Sequence, residues 1–478
     1  MNRRYGLITR VIVVGAGLLT MLTWNLVRAQ EAGNSKPDSY DANNRQPDDR
    51  FKADILLVVA HPDDEVMVTA YLARQIYDHN MRVAVVYGTC GEGSVNEVGP
   101  EQSTAMGDIR EIEGRNAVGT LGITNVWFLP GRDTASQSVL QSLEHWGHGT
   151  SLDRLVRIVR IVRITRPSVI LTWLPVFVTG ENHGDHQAAG ILATEAFDLA
   201  GDPTAFPEQV SPARDPHQNM NLTEALRPWQ PQKIFFFSNP SQIDFFAGQG
   251  PEYSSKEISP ARMISYGRLA AEAFTSHMTQ GGGDTKRALA QNTLDGSDQP
   301  IPFLQPVRFI LGKSLPQSKV TDDVFQGMVA EGIPYQHPVA TMAAKLSVPT
   351  LEIGDPWSYY SKFWQVHGLN HLSGLVPPEV SVTPGSDLSI PLVIENPVDK
   401  SIVVTFSVRA PDGWKIKPVA PVSVGPRTRY YVRAQAVAPL IKLPGWQNFF
   451  FSAVSEKKGI GTISVRAELT DWAFSGTF

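Results

Sequence analysis

Between Ala53 and Ser238 short aliphatic runs alternate with longer amphipathic stretches, and that alternation leaves few folds open. "DILLVVA" (54–60) reads as a buried strand, residues 65–79 as a helix and "RVAVVYGT" (82–89) as a second strand. A helix over 103–121, the run "VWFL", a helix over 151–165, "SVILTWL" (168–174), a helix opening near His183 and "KIFFFS" (233–238) continue the series. Strands of this kind, each followed by a helix, predict a parallel sheet wrapped by helices. Such sheets bind ligands just beyond the carboxyl ends of their strands.

Two polar clusters fall at such ends. Directly behind the first strand stands "HPDDE" (61–65), with Asp63, Asp64 and Glu65 side by side. Like charges repel, and partial burial raises the cost of ionising each one. A bound cation is the simplest offset. Beyond "SVILTWL" comes "ENHGDHQAAG" (181–190), in which His183 and His186 are three apart and share a side of a starting helix. Either cluster alone has an ordinary explanation. A histidine after a strand is commonly a hydrogen-bonded residue, and acids at a helix start can serve as caps. The same pattern at two strand ends favours one shared ion, and imidazole with carboxylate suits zinc in an open, catalytic site. Spacing alone does not say which of Asp63 and Asp64 would bind it.

The rest of the chain sets the frame. Its 478 residues exceed one ordinary core, so two or three domains are expected. Hydrophobic residues make up 42% and charged residues 19%, and the formal net charge is -5 with no long basic block. Nucleic acid and anionic membrane are therefore poor partners. Arg3, Arg4 and Arg10 precede the apolar stretch "VIVVGAGLLTMLTW" and then "LVRAQE", the parts of a secretory signal peptide over 1–29 cleaved after Ala29, with an uncleaved membrane anchor as the alternative. Export is expected either way, and Cys90, the single cysteine, offers no internal disulfide. Residues 30–50 read as a flexible leader and 200–232 as a surface insertion. After "LVPPEV" (375–380) the pattern changes to short alternating strands such as "DLSIPLVIEN", "SIVVTFSVRA" and "NFFFSAVS", which predict a β-sandwich over 376–478. Residues 286–375 form an extension with no assigned structure.

The two clusters strongly resemble the N-acetylglucosaminyl deacetylases of the PIG-L/LmbE type: "AHPDDE" at 60–65 and "HGDH" at 183–186 carry the likeness. "TCGEGS" (89–94), "REIEGRNAVGTLGI" (110–123), "WFLPGRD" (127–133) and, more loosely, "SHMTQ" (276–280) agree with it. The resemblance implies a Rossmann-like catalytic domain over 51–285, with the β-sandwich as an accessory domain. It implies a Zn2+-dependent hydrolase, exported if the leader is read as above, that removes the N-acetyl group from an N-acetylglucosamine-type sugar or glycoconjugate. His61, Asp64 and His186 would hold the metal, and Asp63 would be the general base toward the attacking water. His183 would stabilise the oxyanion or protonate the leaving amine, Asp185 would orient a histidine, and Arg110 and Asp133 would hold sugar hydroxyls. Cell-envelope polysaccharide is the expected partner of the sandwich.

Two rivals stand beside this reading. One is a metalloamidase acting on another small N-acylated molecule. The other is a non-catalytic glycan-binding protein with a structural metal, against which the extra acid Asp63 argues, since structural zinc sites are closed. Arginines 154, 157, 160, 163 and 166 do not share a face, because a period of three drifts around a helix of 3.6 residues per turn. They read as a packed helix with snorkelling side chains rather than an anion site. Glu113 and Cys90 read as structural.

Overall fold

The computed structural model describes residues 48–134, 136, 138–178, 182–212, 223–238, 246–294, 302–330, 332–336, 338 and 346–470. The expected signal peptide and most of the leader lie outside these residues. The chain divides into two compact units, Asp48–Pro207 with Arg227–Phe478, and Met1–Pro47 with Glu208–Leu226. Within the smaller unit the Glu224 amide donates to the Glu208 carbonyl at 2.9 Å and Leu226 to Gln209 at 2.8 Å.

The larger unit opens with β1 (Ile55–Val59), a single 3-10 turn (Asp64–Met67) and α1 (Thr69–His79). There follow β2 (Val83–Tyr87), α2 (Thr104–Thr120), β3 (Asn125–Phe128), α3 (Val139–His145), α4 (Asp153–Thr165), β4 (Val169–Trp173), α5 (Gly184–Leu199) and β5 (Lys233–Phe237). Then come α6 (Tyr266–Phe274), α7 (Gly282–Gln291) and β6 (Ile310–Ser314). The strands lie in the order β3-β2-β1-β4-β5-β6, all parallel except the antiparallel edge strand β6. Every residue of β1, β2, β4 and β5 is buried. That explains their unbroken aliphatic runs, since parallel strands are covered on both faces. The chain steps outward from β1 to β3 and then returns to β4 on the other side of β1. Loops leaving β1 and β4 therefore diverge, opening a crevice at their carboxyl ends.

Helix α5, which begins at the second polar cluster, is buried almost all round, as a helix through the middle of a core must be. Gly190 lets it press against β4: a Cβ there would lie 2.2 Å from the Trp173 carbonyl oxygen. Its far end is held by Asp198, which accepts from Lys313 Nζ at 2.6 Å and lies 2.7 Å from His367 Nδ1. Asp198→Asn leaves a buried ammonium without its counter-charge, so thermal or denaturant unfolding is expected to show a loss of about 3–5 kcal/mol. A variant as stable as the parent would show that the pair is dispensable. The arginines of α4 do not all snorkel: Arg157 is exposed, but Arg163 and Arg154 are buried. Arg163 is fully buried and donates to the carbonyls of Ala200, Asp202 and Ala205, while Arg154 donates to Pro130 and lies over Trp146.

The C-terminal region is a two-sheet β structure with its own core. Its remaining strands are β7 (Thr350–Ile353), β8 (Glu379–Val382), β9 (Asp387–Asn396), β10 (Ile402–Arg409), β11 (Lys415–Lys417), β12 (Val422–Val424), β13 (Thr428–Val437), β14 (Trp446–Ser455) and β15 (Lys458–Leu469). One sheet runs β8-β15-β14-β10-β12 and the other β11-β13-β9-β7. Leu388, Ile390, Leu392 and Ile394 of β9 face inward with Trp414 and Phe449, which meet edge to face at 4.7 Å.

The expected boundary at 376 does not coincide with the boundary between the two cores. β7 lies before it, yet pairs antiparallel with β9, and Leu351 belongs to the second core. The chain then returns: α8 (Pro356–Val366) places Trp357, Tyr360, Phe363 and Trp364 in the first core, followed by Leu369, Leu372 and Val376. The segment with no assigned structure thus serves both cores, supplying β6 to one sheet and β7 to another. It escapes notice in the sequence because β7 is four residues long and β6 contains a glycine and a lysine.

Candidate functional site

The crevice between the ends of β1 and β4 is where the two clusters meet. Asp64 is buried, and its Oδ2 accepts three hydrogen bonds: from the amides of Ala60 (2.9 Å) and His61 (3.0 Å) and from Trp173 Nε1 (2.9 Å). Its other oxygen, Oδ1, lies 3.0 Å from His186 Nε2 and 3.6 Å from His61 Nδ1, and those two nitrogens are 3.3 Å apart. A tetrahedral zinc with bonds of about 2.0–2.1 Å separates its donors by roughly 3.3–3.4 Å. The triangle of His61, Asp64 and His186 fits such an ion. Two further groups of donor atoms lie within 4.8 Å of one another, namely His61 with His183 and His186, and His61 with Asp133 and Asp185.

The second nitrogen of His61, Nε2, faces acids: Asp133 Oδ1 at 3.3 Å and Asp185 Oδ2 at 3.5 Å. Carboxylates behind a ligating imidazole fix its orientation and raise its basicity. Asp185 is itself tied down by Thr134, whose amide and hydroxyl donate to it at 2.8 and 2.9 Å. Asp133 Oδ2 accepts from the Gly93 amide at 2.8 Å. Burial alone lowers the pKa of His61, but Asp133 and Asp64 outweigh it and hold the imidazole well above its usual range. Burial opposes ionisation of Asp64 too, yet His186 and His61 keep its carboxyl well below the usual carboxylate range. Asp133 is likewise held low, burial notwithstanding, mainly by His61. His183, half-buried at the start of α5, is driven well below its usual value by burial and by its histidine neighbours. Its ring lies 4.0 Å from that of His186, and its Nδ1 has no hydrogen-bond partner.

Asp63 is set apart from Asp64 by its backbone. It has φ 122° and ψ -22°, outside the regions open to most residues, and its side chain remains 26% exposed. The contorted backbone turns consecutive carboxylates to different uses, one inward and one toward the crevice. Burial and Asp64 push the Asp63 carboxyl up, Arg110 opposes them, and the result is a pKa of about 6. The Asp63 amide donates to Glu65 Oε2 at 3.0 Å. Glu65 also accepts from Tyr87 Oη at 3.0 Å and meets His277 Nε2 at 2.5 Å. The loosely matching "SHMTQ" is therefore drawn into the site's support, and its Thr279 donates to Glu113 at 3.0 and 2.6 Å.

The sequence-based site residues come together here with two differences in role. Asp133, expected to hold a sugar hydroxyl, faces His61 Nε2 at 3.3 Å instead. Arg110, expected to hold a sugar hydroxyl, is only 2% exposed. Its Nη1 donates to the Gly91 carbonyl at 2.8 Å, and its Nη2 reaches the Pro62 carbonyl and, at 2.9 Å, Asp63. Its geometry is that of a brace for Asp63. Sequence reasoning missed Trp173, Thr134 and Tyr87. None carries a motif, and only the lateral register of the strands and loops brings them to the site.

The segment that forms this crevice is similar to known proteins. Residues 56–197 match the family described as "PIG-L: GlcNAc-PI de-N-acetylase". A 1D-myo-inositol 2-acetamido-2-deoxy-alpha-D-glucopyranoside deacetylase of Streptomyces scabiei is 33% identical over 180 residues, 35% of this chain and 55% of that protein. A deacetylase of the same description from Catenulispora acidiphila is 31% identical over 194 residues, 38% of this chain and 56% of that protein. The chain thus spans about half the length of the curated relatives it matches. Among solved structures, the N,N'-diacetylchitobiose deacetylase of Pyrococcus horikoshii aligns at 18% identity and a TM-score of 0.35, covering 59% of this chain and 92% of that one. Both polar clusters and the crevice they line fall inside the matched segment, and residues 56–197 form a PIG-L domain.

Proposed function

We propose that this protein is a metal-dependent deacetylase that hydrolyses the N-acetyl amide of an N-acetylglucosamine-type sugar or glycoconjugate, with Zn2+ as the metal. The observation that carries this reading is the donor triangle of His61 Nδ1, Asp64 Oδ1 and His186 Nε2, with edges of 3.0 to 3.6 Å, at the crevice of a PIG-L domain. Zinc in that triangle would supply positive charge to polarise the acetyl carbonyl and to acidify water. The chain's own residues do the rest. Asp63, exposed to the crevice and braced by Arg110, accepts the proton of the attacking water. His183, whose half-buried ring lies 4.0 Å from that of His186 beside the triangle, stabilises the oxyanion that forms as the carbonyl is attacked. Asp133 and Asp185 hold His61 in orientation.

Elemental analysis combined with acetate release tests the proposal. The parent is expected to carry one zinc per chain and to release acetate from N-acetylglucosamine derivatives, and His61→Ala and His186→Ala to lose both metal and turnover. Full metal content in the two variants would sink the site. Acetate released only from other N-acylated compounds would favour the broader metalloamidase reading. Metal without turnover on any amide would leave a structural site.

A further inference from the structure

We propose that Trp173 is a positioning residue for the metal centre, a single side chain that fixes two of its three ligands at once. The inference rests on the proposed metal site. Trp173 is the last residue of β4, fully buried, in the strand next to β1. Its indole N–H donates to Asp64 Oδ2 at 2.9 Å, joining the amides of Ala60 and His61 on that oxygen. With three donors on Oδ2, only Oδ1 is left to face the donor triangle, so Asp64 is set to bind through one oxygen. The face of the same indole lies against the His186 imidazole, ring centres 3.9 Å apart and planes within 3°. That stack fixes the rotation of the His186 ring, and with it the direction of Nε2 toward Asp64 Oδ1. On β5, Phe237 packs against the indole at 4.8 Å and 49°, leaving it little freedom.

Both functions need an indole. Phenylalanine offers a flat face and no donor; a hydrogen-bonding side chain of similar reach offers no comparable face. Partners behind the ligands of a metal commonly contribute about 10- to 100-fold in affinity. Trp173→Phe is therefore expected to keep His186 stacked, free Asp64 Oδ2 and weaken zinc binding by that factor. Trp173→Leu, which also removes the stack, is expected to weaken it further.

The test is zinc affinity of purified full-length parent, Trp173→Phe and Trp173→Leu, measured by chelator competition, with unfolding of the metal-free proteins followed in parallel. Cobalt loading adds a spectroscopic readout, because a change in Asp64 coordination alters the visible absorption. Weaker zinc binding and a shifted cobalt spectrum in a folded Trp173→Phe protein would support the assignment. Parental affinity and spectrum in that variant, with only metal-free stability reduced, would overturn it and leave Trp173 a core residue. Should Trp173→Leu fail to fold, Trp173→Phe alone decides. A parent that binds neither zinc nor cobalt would overturn the metal site itself and the role of Trp173 with it.

Discussion

Asp63→Asn is expected to keep its metal and to lose about 100- to 10,000-fold in turnover, the usual cost of removing a general base. The substitution is well suited to this position. At φ 122° a β-carbon is strained, and asparagine is among the few side chains that accept positive φ readily, whereas alanine would add a backbone penalty to the chemical one. Asparagine also preserves the shape that Arg110 faces, and Arg110 keeps the Gly91 and Pro62 carbonyls as partners. Metal content should therefore stay near the parental value while acetate release collapses, and the melting temperature should fall as the buried Arg110 loses its counter-charge. Turnover within a few-fold of the parent would remove Asp63 from the mechanism.

Truncation after residue 375, the linker expected from sequence, should give an aggregated or inactive fragment rather than a free catalytic domain. β7 would lose its pairing with β9, leaving Leu351 and Ile353 on an open strand edge with no core to enter. Unpaired apolar edges recruit other chains. Cutting earlier, before β7, is no better, because α8 is then lost from the first core with its two tryptophans, and Tyr360 no longer donates to Gln187 beside the proposed metal ligand His186. A soluble fragment ending at 375 that retains metal and acetate release would show that the returning segment is not needed.

The parts of the fold legible in the sequence are those whose pattern is local. Four strands buried on both faces must be largely apolar, and helices such as α1 and α4 show one apolar side, so β1, β2, β4 and β5 could be read directly. α3, with seven residues among Ser, Gly and Thr, carries too little period to stand out. β7 and β6 answer to distant partners, β9 and β5, and nothing near them announces it. The candidate site divides in the same way. His61, His183, His186 and the pair Asp63 and Asp64 lie in two compact motifs, each at a strand end, where chemistry picks them out, and the family resemblance selects Asp64 from its pair. The separation of Asp63 from Asp64 is invisible in sequence, because it depends on one backbone torsion at Asp63. Trp173 sits one residue before the end of an obvious strand run, but its task comes from the strand beside it.

The excursion of the chain from one core to the other and back also sets an order of events during synthesis. Residues 356–376 complete the first core before any strand of the second, apart from β7, has been made. β7 waits for β9, and at about 5–20 residues per second that wait lasts a few seconds. For that interval the nascent chain carries a short β strand with Leu351 and Ile353 on it and no neighbour to pair with. Glu352, placed between them and exposed in the finished fold, puts a negative charge in the middle of the strand. Charges at such positions discourage strands of different chains from joining. Glu352, remote from any chemistry, thus stands guard over the moment when newly made copies of this protein are most apt to stick to one another.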